Sequence, residues 1–268
     1  MTSFSPLLQR VEGNVLILTI NNPGKRNAIA PGLYDAIRAA LAEAAGSADI
    51  GAIVLTGADG YFCAGGDLDQ IGKRRELTLD ERRERLGHLH DVVCELRDFP
   101  KPIVAAVEGG AAGAGFSLAL ACDLVVAAAG TAFSVAYVKV GLTPDGGITG
   151  LLAQSLPRQL LTQLSLTGDR ITAEQLQQFG LVNQLVERGQ ADAVAVALAA
   201  RLAQGPQQAM ASIKALCRHA HERTLDEQLD AEREAMAVAQ GSRESAEGIA
   251  AFFAKRPTDF ATLRHDVV

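Results

Sequence analysis

Four runs of almost unbroken hydrophobic residues constrain the fold of this chain more than any other feature. They are Val15-Leu16-Ile17-Leu18-Thr19-Ile20, Ala52-Ile53-Val54-Leu55-Thr56, Pro102-Ile103-Val104-Ala105-Ala106-Val107 and Leu124-Val125-Val126-Ala127-Ala128. A strand with one wet face alternates apolar and polar residues, whereas a continuous run requires cover on both faces. The first two runs end in turn-forming clusters, Asn21-Asn22-Pro23-Gly24 and Gly57-Ala58-Asp59-Gly60. Between the runs lie segments of helical spacing: Pro31 to Ala45, a charged amphipathic stretch from 80 to 98, and a short apolar one from Gly113 to Cys122. The expected class is therefore α/β, a sheet with helices on both faces. After about residue 146 the strand signal fades. Thr172 to Gly180 reads as a short helix with Thr at the N-cap, Gln175 in the capping-box position and Gly at its end. Helical segments follow at 190–204, 206–221 and 224–255, the last broken near Gly241-Ser242. The expected division is an α/β core over residues 1–200 and a helical region over 201–268.

Composition narrows the function. No uncharged apolar stretch exceeds the 15 residues between Asp123 and Lys139, short of the ~18 that cross a bilayer, so no membrane span is expected. Twenty-five Lys and Arg against 31 Asp and Glu give a net charge of −6, which argues against nucleic acid as a partner. The N-terminal residues lack a basic stretch leading into an apolar one, and the four cysteines have neither CxxC spacing nor disulfide density. A reducing, cytoplasmic setting is the expectation. His88 and His90, like His219 and His221, are two apart on predicted helices and face different ways, so no metal site is expected.

Three glycine-rich segments could carry chemistry. Phe62-Cys63-Ala64-Gly65-Gly66-Asp67-Leu68 directly follows a strand, and its glycines leave backbone amides free to face a ligand. Taken alone it reads equally as a plain turn. Glu108 to Phe116 runs from strand into helix through Gly113-Ala114-Gly115, and unpaired amides at a helix start form an anion or oxyanion site. Taken alone it reads as close helix–sheet packing. Gly141-Leu142-Thr143-Pro144-Asp145-Gly146-Gly147 places Asp145 either as a helix cap or as a carboxylate at the mouth of a pocket.

In this order and spacing the segments resemble the crotonase superfamily, the enoyl-CoA hydratase/isomerase family. The matching pieces are Asn22 to Ala28, Phe62 to Leu68, Pro100 to Gly109, Gly113-Ala114-Gly115 through Ala121-Cys122-Asp123, Leu166-Thr167-Gly168, the Ala173-Glu174 helix ending Gly180-Leu181-Val182, and Glu247-Gly248 to Lys255-Arg256. The resemblance implies a spiral of strand–strand–helix turns, a helical C-terminal region that builds trimers or dimers of trimers, and an acyl-CoA thioester as substrate, with no separate cofactor. It further implies that the Ala64 and Ala114 amides hold the thioester oxygen. Arg26, Ala28, Gly66, Asp67, Leu68, Gly113 and Lys255 are then candidates for contact with the CoA thioester, and Phe116, Leu68 and Tyr137 for the walls around Asp145.

The sequence departs from the hydratase pattern in one respect. Ser117 and Tyr137 stand where the hydratases of the family carry their two glutamates, and neither supplies a carboxylate. Asp145 matches the aspartate of the 1,2-epoxyphenylacetyl-CoA isomerase branch, to which the run Ala136 to Gly147 is especially similar. The expectation is an isomerase in which Asp145 moves the proton. A hydratase using Asp145 alone, an acyl-CoA hydrolase, and a non-catalytic acyl-CoA-binding oligomer are the alternatives.

Overall fold

A computed structural model describes residues 4–264; the readings made at the extreme termini lie outside them. The strands and helices follow in the order β1 (Leu7–Glu12), β2 (Val15–Ile20), α1 (Leu33–Gly46), β3 (Ala52–Gly57), α2 (Leu68–Lys73), α3 (Leu79–Asp98), β4 (Ile103–Val107), β5 (Gly110–Ala112), α4 (Ala114–Leu120), β6 (Leu124–Ala128) and β7 (Ala132–Ser134). Then come α5 (Ile148–Ala153), α6 (Arg158–Thr167), β8 (Arg170–Thr172), α7 (Ala173–Gln178), β9 (Gln184–Val186), α8 (Ala191–Ala203), α9 (Gln207–His219), α10 (Leu225–Gln240), α11 (Arg243–Ala254) and α12 (Phe260–Leu263).

The four hydrophobic runs are β2, β3, β4 and β6, adjacent and parallel in a six-stranded sheet of order β1-β2-β3-β4-β6-β9. Their unbroken hydrophobicity has the expected cause. Leu16, Leu18, Ile53, Leu55, Ile103 and Ala105 face a core shared with α1, α3 and α4, while Val15, Ile17, Val54, Val104 and Ala106 face a second layer shared with α8. That second layer closes through Ala191, Ala195, Ala199 and Ala203, all fully buried at helical spacing. Alanine there lets the helix lie close on the sheet.

The second sheet was not expected from sequence. It is small, with order β5-β7-β8. Two parallel bridges outside the strands, Cys63 to Ala111 and Ile29 to Gly66, continue it. Each turn of the spiral therefore lays one strand in the large sheet and one step in the small one before a helix returns the chain. β1 was likewise unexpected: it pairs antiparallel at the sheet edge with only Leu7 buried, so no hydrophobic run marks it.

The charged C-terminal helices are fastened to the core by polar contacts. Lys214 Nζ of α9 pairs with Asp123 Oδ2 at 2.6 Å and donates to the Phe99 and Lys101 carbonyls. Arg218 pairs with Asp98 at 2.8 Å. Glu244 of α11 is buried and accepts from the first amides of α9, Gln208 and Ala209, at 3.0 Å each. No helix among the described residues is long and apolar enough to cross a membrane.

Candidate active site

The two glycine-rich segments that follow β3 and β4 lie side by side. Cys63 N donates to Gly110 O, and Ala112 N returns a bond to Cys63 O at 3.0 Å. Glycine is required where they touch. A methyl group placed on Gly65, whose φ is +85°, would sit 2.5 Å from the Ala112 carbonyl oxygen and 3.3 Å from the Ala114 nitrogen. One placed on Gly115 would meet Cys63 O at 2.4 Å and its sulfur at 2.8 Å.

This geometry corrects one donor assignment. The Ala64 amide already donates to the Arg26 carbonyl at 3.0 Å, so it does not face a ligand. Two residues on, the Gly66 amide has no acceptor among the described residues. Neither does the amide of Ala114, the first residue of α4, where the intrahelical ladder leaves it unpaired. Gly66 and Ala114 are free donors on the two paired loops.

Asp145 is half-buried, and its side chain does not cap a helix. α5 begins at Ile148 with Gly147 at its N-cap, which overturns the capping reading. Instead Asp145 Oδ1 accepts from the Tyr137 hydroxyl at 2.8 Å. Tyr137 belongs to a single helical turn, Ala136–Val140. Its ring stands over the second loop: a methyl placed on Gly113, one residue before Ala114, would lie 3.5 Å from Tyr137 Cζ. Burial, the charge of Asp145 and the hydrogen bond to it push the Tyr137 phenol far up, so it stays protonated and donates. Ser117 is fully buried in α4, and its hydroxyl lies 3.5 Å from the Asp145 carbonyl oxygen, to which it donates. Gly146, with φ +60°, presses on Ser117: a methyl there would be 3.0 Å from Oγ.

A second phenol escaped the sequence reading. Tyr34, at the start of α1, is pushed up by burial and then by the negative charge of Asp145, and its ring packs on the main core. It carries no motif, since only folding brings α1 to the Asp145 turn. Cys63 is buried and its thiol raised to about 12 by desolvation, so it serves as a small hydrophobe rather than a nucleophile.

The remaining predicted contacts fall into two groups. Arg26 is exposed, left-handed at φ +50°, and its guanidinium lies 5.8 Å from the Tyr61 ring centroid. Ala28 is buried beside it. Gly66, Asp67 and Leu68 adjoin that turn. Asp67 caps α2 through Asp69 N at 3.0 Å and pairs with Lys25 at 2.9 Å, which holds its carboxyl below the usual range. Leu68 is exposed and points away from any core. Phe116 corrects a second expectation: it is fully buried against Phe133, with ring centroids 4.9 Å apart, and so backs the loop instead of lining a pocket. Lys255 ends α11 in a left-handed cap, and its ammonium has no hydrogen-bond or ion partner among the described residues. No group of three or more potential metal ligands occurs among the described residues.

Comparison with known proteins fits this arrangement. Residues 10–262 match the sequence profile of the enoyl-CoA hydratase/isomerase family. The chain is 36% identical to 1,2-epoxyphenylacetyl-CoA isomerase of Escherichia coli K12 over 95% of its own length and 97% of the relative's. It is 34% identical to 2,3-dehydroadipyl-CoA hydratase of the same organism, covering 96% and 98%. The crystal structure of an enoyl-CoA hydratase from Polaromonas sp. JS666 superposes with a TM-score of 0.92 at 43% identity, covering 94% of this chain and 98% of that one.

Proposed function

The chain belongs to the enoyl-CoA hydratase/isomerase family and is an acyl-CoA enzyme, and from that premise we propose that it isomerises its substrate, with Asp145 as the group that moves the proton. The observation that carries the reading is the setting of Asp145, a carboxylate with Ser117 and Tyr137 as its neighbours, whereas Asp67, next to the free Gly66 amide, is tied to Lys25 and to the start of α2. Two-carboxylate activation of water needs a second acid, and neither Ser117 nor Tyr137, the neighbours of Asp145, supplies a carboxylate. Isomerisation needs a single acid. The Asp145 carboxylate takes a proton from the carbon next to the thioester carbonyl, and the C–H bonding pair moves into an enolate. The enolate oxygen is held by the Gly66 and Ala114 amides. Asp145 then returns the proton to the far end of the conjugated system, and the double bond shifts by one position. Deleting one oxyanion-hole donor costs about 2.7–4 kcal/mol in a well-characterised protease, which sets the scale for such a site.

In the same reading Arg26, Ala28, Gly66 and the 66–68 turn border the CoA moiety, and Lys255 meets a CoA phosphate. Retention of hydratase activity is the second reading, favoured by the nearly equal identity to a hydratase relative. The deciding experiment offers purified protein a 3-enoyl-CoA and the matching 2-enoyl-CoA. Conjugated product from the first without hydration of the second is expected, and Asp145→Asn should lower that turnover by about 100-fold or more, within the range of a general acid–base group. Hydration of the 2-enoyl ester at a comparable rate would replace the isomerase reading. Full isomerase activity in Asp145→Asn would end the role given to Asp145.

A further inference from the structure

We propose that Tyr137 is a positioning residue that fixes one oxygen of Asp145, so that the other alone carries the proton between two carbons of the substrate; this rests on the isomerase reading above. Three observations converge on it. The Tyr137 hydroxyl donates to Asp145 Oδ1 at 2.8 Å, while Oδ2 has no partner among the described residues. The donor is itself held: its ring lies against Gly113, its carbonyl accepts from Leu142 N at 3.0 Å, and its hydroxyl also lies 3.5 Å from the Asp145 carbonyl oxygen. The acid's main chain is fixed as well, since Gly146 packs against Ser117 and Leu89 where a methyl would be 3.0 Å from each.

Ser117 and Tyr137 thus both bear on Asp145, and the Tyr137 ring stands against Gly113, a single residue from the Ala114 amide. A carboxylate free to rotate about its terminal torsion would present either oxygen, because that torsion is broad and nearly two-fold. Rotation would expose the carried proton to exchange. With Oδ1 engaged, proton removal and return use the same oxygen. Tyr34 feels the charge of Asp145 but makes no hydrogen bond to it, so Tyr137 alone serves as the anchor.

The test follows an isotope label. Wild type and Tyr137→Phe convert 3-enoyl-CoA in deuterium oxide, and the product is assayed by mass spectrometry. In Tyr137→Phe, kcat should fall by about 10-fold or more, the scale of one hydrogen bond to a charged group, with KM changed less than kcat. The fraction of product carrying solvent deuterium should rise above the wild-type value. A residue that merely supported the fold would not move that fraction. Ser117→Ala, which removes the hydroxyl held at the Asp145 carbonyl but keeps the phenol, should shift both readouts in the same direction by less, and it serves if Tyr137→Phe does not fold. Inactive Asp145→Asn together with unchanged kcat and deuterium fraction in Tyr137→Phe would overturn this inference while leaving the isomerase reading intact. Active Asp145→Asn would overturn both.

Discussion

Gly65 shows how much of this site depends on the absence of a side chain. At φ +85° and 2.5 Å from the Ala112 carbonyl, no other residue fits without moving the loop. Gly65→Ala should therefore shift the Gly66 amide relative to that of Ala114 and cut kcat/KM by about 100-fold, the effect of losing one oxyanion donor. Circular dichroism should show retained structure, because the clash is confined to the two loops; unchanged kcat/KM would contradict the pairing of these donors. At this scale the sequence was partly legible. Asp145 and Ala114 were named as candidates, but their roles came from the family resemblance, since the residues alone read equally as a helix cap and as close helix–sheet packing. Which amide of the first loop is free could not be read, because Ala64 is occupied by Arg26, a residue brought in from a different turn. Tyr34 was missed for the same reason.

The elements were legible in proportion to how much of each is buried. β2, β3, β4 and β6 are covered on both faces and advertise themselves as hydrophobic runs. β5, β7, β8 and β9 have three residues each and β1 is exposed, so none imposes a recognisable period. α7 was placed by its cap, since Thr172 and Gln175 form the reciprocal bonds that their spacing announces; Thr224 and Glu227 form the same box at the start of α10, where the sequence reading gave only a helical segment. What holds these helices in place was not announced. Lys214→Ala should leave Asp123 largely buried without its cation and lower stability by about 3–5 kcal/mol, read as a drop in Tm. A smaller contact gives a pH test. Arg256 and the Asp259 amide hold the Glu247 carboxyl down at about 2. Its folded-state value lies below that of the unfolded chain, ~4.3. Its stabilising share is thus complete above ~4.3 and lost as pH falls toward about 2. The Tm difference between wild type and Glu247→Gln should shrink across that window, and a difference independent of pH would contradict the pairing.

At the scale of the whole molecule, the C-terminal helices leave apolar side chains in water. Ile249 of α11 is 58% exposed, its neighbours Phe252 and Phe253 78% each, and Val238 of α10 77%. Patches of this kind mark contact surfaces, and we propose that copies of this chain cover them, in the trimers or dimers of trimers that the family resemblance implies. Sedimentation should give three or six times 28.1 kDa, and Phe252→Asp with Phe253→Asp should yield smaller species; a wild-type monomer would refute this. The zipped loops carry a different consequence, one for how such a protein can change over generations. The Gly66 and Ala114 donors are peptide groups, so a substitution elsewhere can neither delete nor improve them as long as the loop path survives. Ser117, Tyr137 and Asp145 are side chains, each open to replacement without redrawing that path. A lineage built on this frame inherits the two unpaired amides unaltered and varies the side chains beside them at three positions.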